Sequence, residues 1–458
     1  MLEWGISSIF TITVDNASSN DTALDYLKRR TGHKDGAILE NQFMHVRCCT
    51  DILNLIVSEG LKEVDDSIVK VRSAVKYVKS SPSRFEKFKY CMKREKLTFN
   101  GLLCLDVPTR WNSTFKMLEG AEKCRSAFEL MEEYDEQFVS SLFDEKNDKK
   151  GLGPPTFADW ERIRISLKFL ELFYDAIMGL SGSLYVTSNM YVQEIYSIQM
   201  HLQDYRESGD YVLSAIAEKM MMKYNKYWGD LDRVNLLMFV AVILDPRTKL
   251  GALEFWFKDV LSVEQCTNMM KKLRHHLQKL YDHFNVGESS SQVEHGSIFP
   301  QGFSMNVEET ENVSLHFMNR FHKYRAYKSD VQNKSEIERY LMEDVEKPNA
   351  NFDILNWWKV NSTKFPILAQ IARIVLAIPI TTVASESAFC TGGRVLDSFR
   401  SSLAPGIVEA LVCAQNWLGS KPLSSGNGYD TGMIDDAESY KLDSEITLKK
   451  MNILLEDD

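Results

Sequence analysis

The sequence contains no apolar run long enough to cross a membrane and no pattern typical of a secretory signal. The run at 236–244 is short, and the run at 367–380 is interrupted by polar residues and a proline, whereas a membrane span needs about eighteen or more apolar residues. Residues 1–10 lack a basic flank and a small-residue cleavage site. We therefore expect a soluble protein of the cytosol or the nucleus, without a membrane partner.

Cysteines are few, and their spacing argues against a disulfide framework. The 458 residues include 8 cysteines that are scattered along the chain, so reduced thiols are expected. His45, Cys48 and Cys49 lie close together in sequence, but no second pair follows at the spacing of zinc ligands. No zinc is therefore expected in this chain.

The motifs of common hydrolases and nucleotide-binding enzymes are missing as well. The sequence has no glycine-rich loop that ends in Gly-Lys-Ser/Thr, no His-Glu-x-x-His and no Gly-x-Ser-x-Gly. Usual hydrolase chemistry is therefore disfavoured, and no small-molecule substrate is predicted.

Positive charge is scarce overall but concentrated in one stretch. The formal net charge of -10 argues against a uniformly basic nucleic-acid binder. Residues 69–96, however, hold ten basic residues against two acidic ones, interleaved with aromatic residues. This pattern predicts a surface for the DNA backbone or, with equal weight, a solvated helix face. The residues predicted to contact DNA are Lys76, Lys79, Arg84, Lys87 and Lys89.

Alternating strand and helix patterns at the start of the chain predict an α/β core. Residues 6–14 are rich in β-branched and aromatic types and predict a buried strand that ends at Asp15. A helix at 22–30 follows. A second strand at 43–49 and a second helix at 52–60 repeat the unit, as in α/β folds.

Helical patterns dominate the rest of the sequence. Amphipathic periodicity predicts an all-α block over 62–350, with a long loop near 287–313. Residues 351–419 carry large apolar side chains at helical spacings, and the Ser/Gly/Asp-rich tail 420–458 is predicted to be disordered. The predicted fold class is therefore α/β plus all-α.

Three positions are candidates for chemistry. Asp15, at a strand end, is well placed to hold a hard cation such as Mg²⁺, although an Asp-Asn turn that hydrogen-bonds its own backbone fits the same residues. Glu386 lies in the first turn of a predicted helix, where it can simply stabilise the helix dipole. Arg110 beside Trp111 can hold a phosphate and stack on an unpaired base; the alternative is a buried Trp beside a surface Arg.

Four widely separated stretches carry recognisable motifs. They are Thr11-Ile-Thr-Val-Asp-Asn-Ala-Ser-Ser-Asn-Asp21, Arg47-Cys-Cys-Thr-Asp-Ile-Leu-Asn-Leu-Ile56, Leu105-Asp-Val-Pro-Thr-Arg-Trp-Asn-Ser-Thr114, and a C-terminal block from 352 to 418 that contains Thr382-Val-Ala-Ser-Glu-Ser-Ala-Phe389. Together and in this order, they resemble the hAT transposase family, particularly its plant members of the RICESLEEPER and DAYSLEEPER group.

The resemblance implies an RNase H-like core that is interrupted by a large helical insertion and followed by a helical dimerisation region. In this chain the corresponding parts are a partial core at 1–61, the insertion at 62–350 and the dimerisation region at 351–419. The residues then expected in the dimer interface are Trp357, Trp358, Phe365, Ile371, Val375, Phe389 and Trp417. The alternative is that these residues close the core of the single chain.

The resemblance also assigns roles to the candidate site residues. Asp15 and Glu386 match two of the three carboxylates with which the family binds Mg²⁺ or Mn²⁺ for DNA strand cleavage. Arg110 and Trp111 match the motif that stabilises a flipped base, and Cys48 belongs to a motif near the DNA. The expected partners are therefore DNA and a second copy of the chain.

Three departures from the family pattern argue against catalysis by this chain. The family's first Asp lies well upstream of the Val-Asp-Asn motif, whereas only fourteen residues precede Asp15, and the BED-type zinc finger of plant relatives is missing too. Asp51 stands where the family has His, which replaces a possible donor by an acceptor. Two-metal chemistry needs several carboxylates, and Asp106 and Asp245 are weak substitutes because both belong to other family motifs.

The sequence therefore predicts a transposase-derived nuclear protein that dimerises, contacts DNA weakly and does not transpose it. Two alternatives stay open. One is a fragment of an active cut-and-paste transposase that uses a divalent metal, and the other is a helical protein-interaction scaffold without a role on DNA.

Overall fold

The computed structural model describes residues 8–31, 38–97, 103–107, 110–144, 151–182, 185–285, 335–347, 349, 351–387 and 403–419. Most of these residues are helical, and the two strands among them lie early in the chain. None of the described helices combines the length and apolar character that crossing a lipid bilayer requires. The predicted loop near 287–313, the tail 420–458 and Phe389 lie outside the described residues.

The two strands form a parallel pair that is joined by a helical crossover. Strand β1 (Ile12–Val14) pairs with strand β2 (His45–Arg47), so that Val14 lies opposite Arg47. Helix α1 (Ser18–Thr31) connects them, as a parallel pair requires. Both described strands are shorter than predicted, and α1 begins before residue 22. The reason for the early start is Asp15, whose carboxylate accepts the N–H of Ala17 and turns the chain into the helix.

The remaining described helices fall into two groups. The first group comprises α2 (Cys49–Leu61), α3 (Asp65–Lys79), α4 (Pro82–Arg94), α5 (Trp111–Lys123), α6 (Arg125–Tyr134), α7 (Glu136–Phe143), α8 (Phe157–Leu180), α9 (Tyr191–Arg206), α10 (Tyr211–Trp228), α11 (Leu237–Ile243), α12 (Lys249–Val260) and α13 (Val263–Asn285). The second comprises α14 (Glu336–Met342), α15 (Ile354–Val360), α16 (Pro366–Val375) and α17 (Pro405–Gly419). Short 3-10 helices lie at Ile38–Asn41, Lys62–Val64 and Leu231–Arg233. Every regular element in the described part of 62–350 is thus helical, as predicted.

Helix α2 lies between the strand pair and the other helices of the first group, α3 to α13, which we call the helical body. Its buried side chains recur at helical spacing, including Ile52, Leu53, Ile56 and Val57, and they form the apolar face that a surface helix turns to a core. The same helix contacts α10. A Cβ at Gly60 would come within 2.4 Å of the Met220 side chain of α10, so a larger residue there would have to displace that side chain.

A buried carboxylate joins α3 to α8. Asp159 lies at the start of α8, where it forms a capping box with Thr156, and its oxygens accept from the Ser67 hydroxyl and the Lys70 ammonium, each at 2.8 Å. Burial alone would raise the pKa of Asp159, but the bonds from Lys70, Thr156 and Ser67 outweigh it and lower the pKa to about 2. Lys70, one of the ten basic residues of the 69–96 stretch, is therefore part of the fold.

The large apolar residues of the C-terminal region close the core of the single chain. The rings of Tyr340, Trp358 and Phe365 contact one another, with centroid distances of 5.2 to 6.4 Å. The Trp358 indole donates to the backbone carbonyl of Leu244. Trp358, Phe365, Ile371 and Val375 are buried, with exposed fractions of 0–3%. The prediction that they form the dimer interface is therefore wrong at these four positions.

The other residues predicted for the interface have different outcomes. Trp357 is half-buried, and its indole nitrogen donates to Glu346 at 2.9 Å. The side chain of Trp417 lies outside the described residues, although the backbone there belongs to α17.

A second buried carboxylate joins α14 to α16. The oxygens of Glu336 accept the backbone N–H groups of Ile367 at 3.4 Å and Leu368 at 2.7 Å, in the first turn of α16 after Pro366. These N–H groups have no partner within the helix. Burial raises the pKa of Glu336, and the two backbone bonds offset part of the rise.

Candidate functional site

Two strand ends and a distant segment meet at one edge of the strand pair. Asp15 follows β1 and Cys48 follows β2, and the carboxyl ends of parallel strands lie at the same edge. Residues 378–382 approach this edge from far along the chain. Thr13 donates its hydroxyl to the Pro379 carbonyl at 2.5 Å, and the backbone N–H of Cys49 donates to the Ile380 carbonyl at 2.9 Å. These contacts bring Glu386 to the side of the chain that holds Asp15.

Asp15 is exposed and forms a local turn. One of its oxygens accepts from the backbone N–H of Ala17 at 2.9 Å and from the side-chain amide of Asn20 at 2.5 Å. The turn that the Asp-Asn pair suggests is thus present. A role for Asp15 in metal binding stays a prediction.

Glu386 lies in a helical turn at 383–387 and is exposed. The hydroxyl of Thr382 donates to the Glu386 carboxylate at 2.6 Å, while the Thr382 backbone N–H donates to the Cys48 sulfur at 3.4 Å. Thr382 therefore links Glu386 to Cys48. Because Cys48 is fully buried, the predicted contact of its side chain with DNA is wrong.

Both predicted metal ligands, Asp15 and Glu386, interact electrostatically with the carboxyl group of Asp51. Its pKa is raised, first by burial and then by the negative charges of Glu386 and Asp15, while a hydrogen bond with Cys48 lowers it. One Asp51 oxygen is buried without a hydrogen-bond partner in the described part of the chain. The substitution for the family His therefore adds a third carboxyl group to this edge, a placement that the motif alone did not reveal.

These carboxyl groups do not fit a divalent-metal centre as they are arranged. Within the described residues, no three His, Cys, Asp or Glu side chains are grouped so that they could hold a metal ion. Asp106 does not fill the gap, since both of its oxygens accept from Arg72, at 2.8 and 2.7 Å. Asp245 is paired with Arg247 in the same bidentate manner, at 3.0 and 2.7 Å. Both carboxylates are buried structural partners.

The Arg110-Trp111 pair is divided between surface and core. Arg110 is exposed at the N-cap of α5, whereas Trp111 is only 4% exposed and meets Phe115 edge-on, with centroids 6.5 Å apart. A buried ring offers no face to an unpaired base, so the predicted stacking by Trp111 is wrong for this conformation. Arg110 remains available to a phosphate.

The basic stretch is used more by the fold than the sequence suggests. Lys87 pairs at 3.1 Å with Asp135, whose side chain is 3% exposed, and the Arg84 guanidinium lies 4.0 Å from the ring centroid of Tyr77. Lys79 donates to a backbone carbonyl at 2.7 Å. These three cations hold helices α3 and α4 and their neighbours together, which weakens the prediction that they bind DNA.

The other cations of the stretch differ in exposure. Lys76 also interacts within the chain, and Lys89 pairs with Glu86 at 2.9 Å on an exposed surface, where such a pair contributes little. Three further basic residues at the end of α4 are exposed, and we call them the α4 cluster. They are Lys93, Arg94 and Lys96.

Three family models match successive parts of the chain. The model described as the ZBED1 RNase-like helical domain matches residues 46–153, the one for the hAT-like transposase RNase-H fold matches 189–284, and the one for the hAT family C-terminal dimerisation region matches 336–418. The predicted combination of an RNase H-like part, a helical part and a dimerisation region is thereby confirmed. The boundaries of these parts stay predictions.

Known proteins match across most of the chain. The zinc finger BED domain-containing proteins RICESLEEPER 2 and RICESLEEPER 1 of Oryza sativa subsp. japonica are 33% and 32% identical to it, each over 91% of this chain and 57% of its own length. The putative AC transposase of Zea mays is 32% identical over 96% of this chain and 52% of its own length. The chain thus spans somewhat more than half the length of these relatives. On these matches, the chain is similar to members of the hAT transposase family over most of its length.

Proposed function

We propose that this chain is a self-associating, DNA-binding protein of the nucleus that is derived from hAT transposases and does not itself cleave DNA. The observation that carries the proposal is the hAT dimerisation region at 336–418, which contains an apolar helix that the described residues leave uncovered. The relatives named as transposases or as BED zinc-finger proteins support a role on DNA in the nucleus.

Helix α17 supports self-association. Most of its residues are apolar, yet Ile407 is 51% exposed and Leu411 is 45% exposed. These two residues are four positions apart and therefore lie on one face of the helix. None of the described side chains of α17, which end at residue 414, is buried. We infer that α17 covers this face with the corresponding helix of a second copy.

Sedimentation velocity of the full chain at micromolar concentration tests self-association. The wild-type chain is expected to sediment as a dimer or larger, and the double variant Ile407→Glu/Leu411→Glu as a monomer, because two carboxylates would be buried without partners. Glu409→Gln, on the same helix, is the matched control and should not change the oligomeric state. A wild-type chain that is monomeric throughout would refute this part of the proposal.

Exposed cations support DNA binding. The α4 cluster and Arg110 are exposed, and they lie on segments that are close in sequence within an otherwise acidic protein. Phosphate contacts by such residues release counterions and make the affinity depend on salt. We infer that these residues contact the DNA backbone without reading its sequence.

Fluorescence anisotropy with duplex DNA at several salt concentrations tests this inference. Replacing all three residues of the α4 cluster by Gln should weaken binding and reduce the slope of log affinity against log salt by roughly 2 to 3, since each phosphate contact contributes about 0.9 to that slope. The matched control removes the same charge from three exposed lysines on other helices, Lys219, Lys258 and Lys359. If the wild-type chain shows no salt-dependent binding, the scaffold alternative is favoured instead.

The arrangement of carboxylates supports the absence of strand cleavage. Oxygens of Asp15 and Glu386 are engaged by donors of the chain itself, and Asp51 places a further carboxyl group near both. Although Asp15, Asp51 and Glu386 share this edge, no three such side chains among the described residues are grouped closely enough to hold the metal ions that two-metal chemistry uses. We therefore expect no nicked product from terminal-repeat DNA with either Mg²⁺ or Mn²⁺.

The competing function is that of an active transposase, which the name of the Zea mays relative favours. A metal-dependent cleavage product that disappears in Glu386→Gln would establish it. The same assay with Asp51→His, which restores the family residue, would show whether that departure alone silences the site.

A further inference from the structure

A cavity with basic and aromatic walls lies beside strand β2. Its volume is about 320 Å³, and it is formed by segments that are far apart in sequence. Lys28 comes from α1, Arg47 from β2, Tyr227 from the end of α10 and Lys272 from α13. No motif in the sequence signals this convergence.

Four cations and one carboxylate line the cavity, but two of the cations are paired with carboxylates outside the lining, Arg47 with Asp21 at 3.2 Å and Arg233 with Asp230 at 3.0 Å. The four cations are Lys28, Arg47, Arg233 and Lys272, and the carboxylate is Asp232. The ammonium of Lys272 pairs with Asp232 at 2.6 Å, and both side chains remain partly exposed. An exposed pair of this kind is weak, so an incoming anion can compete for the lysine.

The pKa of His45, which also lines the cavity, responds to the charged residues nearby. Its pKa is lowered, first by burial and then by Arg47, with a further lowering by Lys28, whereas Asp21 and Asp25 raise it. Arg47 and Lys28 therefore both act on the side of the cavity where His45 lies, and Asp21 and Asp25 partly offset them.

The cavity has the size and rigidity of a binding site. Ligand pockets in proteins measure roughly 300–1,000 Å³, so this cavity fits one nucleotide-sized group. Asn235 fixes the wall by donating its side-chain amide to the carbonyls of Phe43 at 2.8 Å and His45 at 2.9 Å. Tyr227, which is half-buried, provides an aromatic surface.

The cavity adjoins the candidate site along the chain and has an exposed rim. Arg47 lines the cavity, and the next residue along the chain, Cys48, contacts Thr382 beside Glu386. Arg47 and Arg233 have side chains that are 40% and 77% exposed. Cations at the rim suit a ligand that continues beyond the cavity, as a strand does and a free nucleotide does not.

We propose that this cavity receives one unpaired nucleotide of a DNA strand, with its phosphate between Lys28 and Lys272 and its base against Tyr227. The proposal rests on the DNA-binding function proposed above and adds a site for single-stranded DNA. Basic grooves with aromatic residues are the usual means by which proteins hold single strands.

The test compares single-stranded and duplex oligonucleotides by fluorescence anisotropy on the full chain. Lys28→Gln/Lys272→Gln should bind the single strand about tenfold more weakly, with a salt slope smaller by about 1.4, since each contact to a single strand contributes about 0.7. Duplex binding, which we assign to the α4 cluster, should change by less than about twofold. The matched control is Arg29→Gln/Lys271→Gln, which removes the same charge from neighbouring residues that do not line the cavity.

A second variant keeps the proposal testable independently of charge. Tyr227→Leu should weaken single-strand binding about tenfold without changing the salt slope, because the variant loses base stacking but keeps every phosphate contact. Circular dichroism confirms that each variant is folded.

The outcomes separate the two proposals. Unchanged single-strand binding in both cavity variants, or equal losses in the control, overturns the cavity site while DNA binding stands. No binding of either DNA form overturns both proposals. If a free deoxynucleoside monophosphate binds as tightly as the oligonucleotide, the cavity is a site for a free nucleotide. This result would overturn the proposal that it holds a nucleotide of a DNA strand.

Discussion

Helices α16 and α17 are both apolar and both belong to the hAT dimerisation region, yet they have opposite environments. Five residues of α16 are buried, among them Ile371 and Val375. In α17, by contrast, Ile407 and Leu411 remain about half exposed. Apolar composition therefore indicates that a helix will be covered, but it does not indicate whether the cover comes from the same chain or from another.

The difference lies in what each helix has next to it. Helix α16 begins at a proline, and a buried carboxylate from α14 accepts its first free N–H groups. The aromatic cluster of Tyr340, Trp358 and Phe365 lies at the same end. None of the described side chains of α17 is buried. We therefore expect α16 to govern the free energy of unfolding and α17 to govern self-association.

Removing the aromatic ring at the start of α16 should have the largest effect on stability. Phe365 is fully buried, so Phe365→Ala leaves a cavity and should lower the free energy of unfolding by roughly 3–5 kcal/mol. Urea denaturation followed by circular dichroism measures this. Ile407→Ala, at an exposed position, is the control, and equal losses in both variants would contradict the contrast between the helices.

The carboxylate that caps α16 should make stability depend on pH. Because the pKa of Glu336 is raised in the folded chain from its ordinary 4.5, the folded state keeps a proton that the unfolded state has lost. This contribution is complete below pH 4.5 and is lost as the pH rises through the folded pKa. The difference in urea midpoint between wild type and Glu336→Gln should therefore change over that range. A constant difference would show that Glu336 is not protonated preferentially in the folded state.

The smallest effect on stability is expected at α17. Ile407→Glu/Leu411→Glu replaces two side chains that are about half exposed, so at concentrations where the wild-type chain is monomeric the free energy of unfolding should change by only about 0.5 kcal/mol per site. Urea denaturation at high dilution measures it. A loss comparable to that of Phe365→Ala would mean that α17 is covered by its own chain after all.

Local patterns predicted some features of the molecule well. The strand that ends at Asp15 and the crossover helix follow from residues that are neighbours in sequence, and so does the helical body. The burial of Trp358 and Cys48 could not be predicted from neighbouring residues, because their hydrogen-bond partners lie more than a hundred positions away in sequence. Lys87 is part of the fold because it pairs with Asp135, far along the chain. Lys28 and Lys272, also far apart in sequence, line the same cavity. Charge and apolarity can be read from a sequence, whereas the partner that neutralises or covers each residue depends on the tertiary fold.

The contact between Thr13 and Pro379 has a consequence for biogenesis. The two residues are 366 positions apart, and ribosomes add about 5–20 residues per second, so the partner emerges roughly 20 to 70 seconds later. During that interval β1 and β2 have been made, but the segment that completes their edge has not. Most contacts of the helical body lie between elements made earlier, so it can assemble first. The edge with Asp15 and Glu386 is therefore expected to close last, which delays any function that needs both carboxylates until most of the chain has been translated.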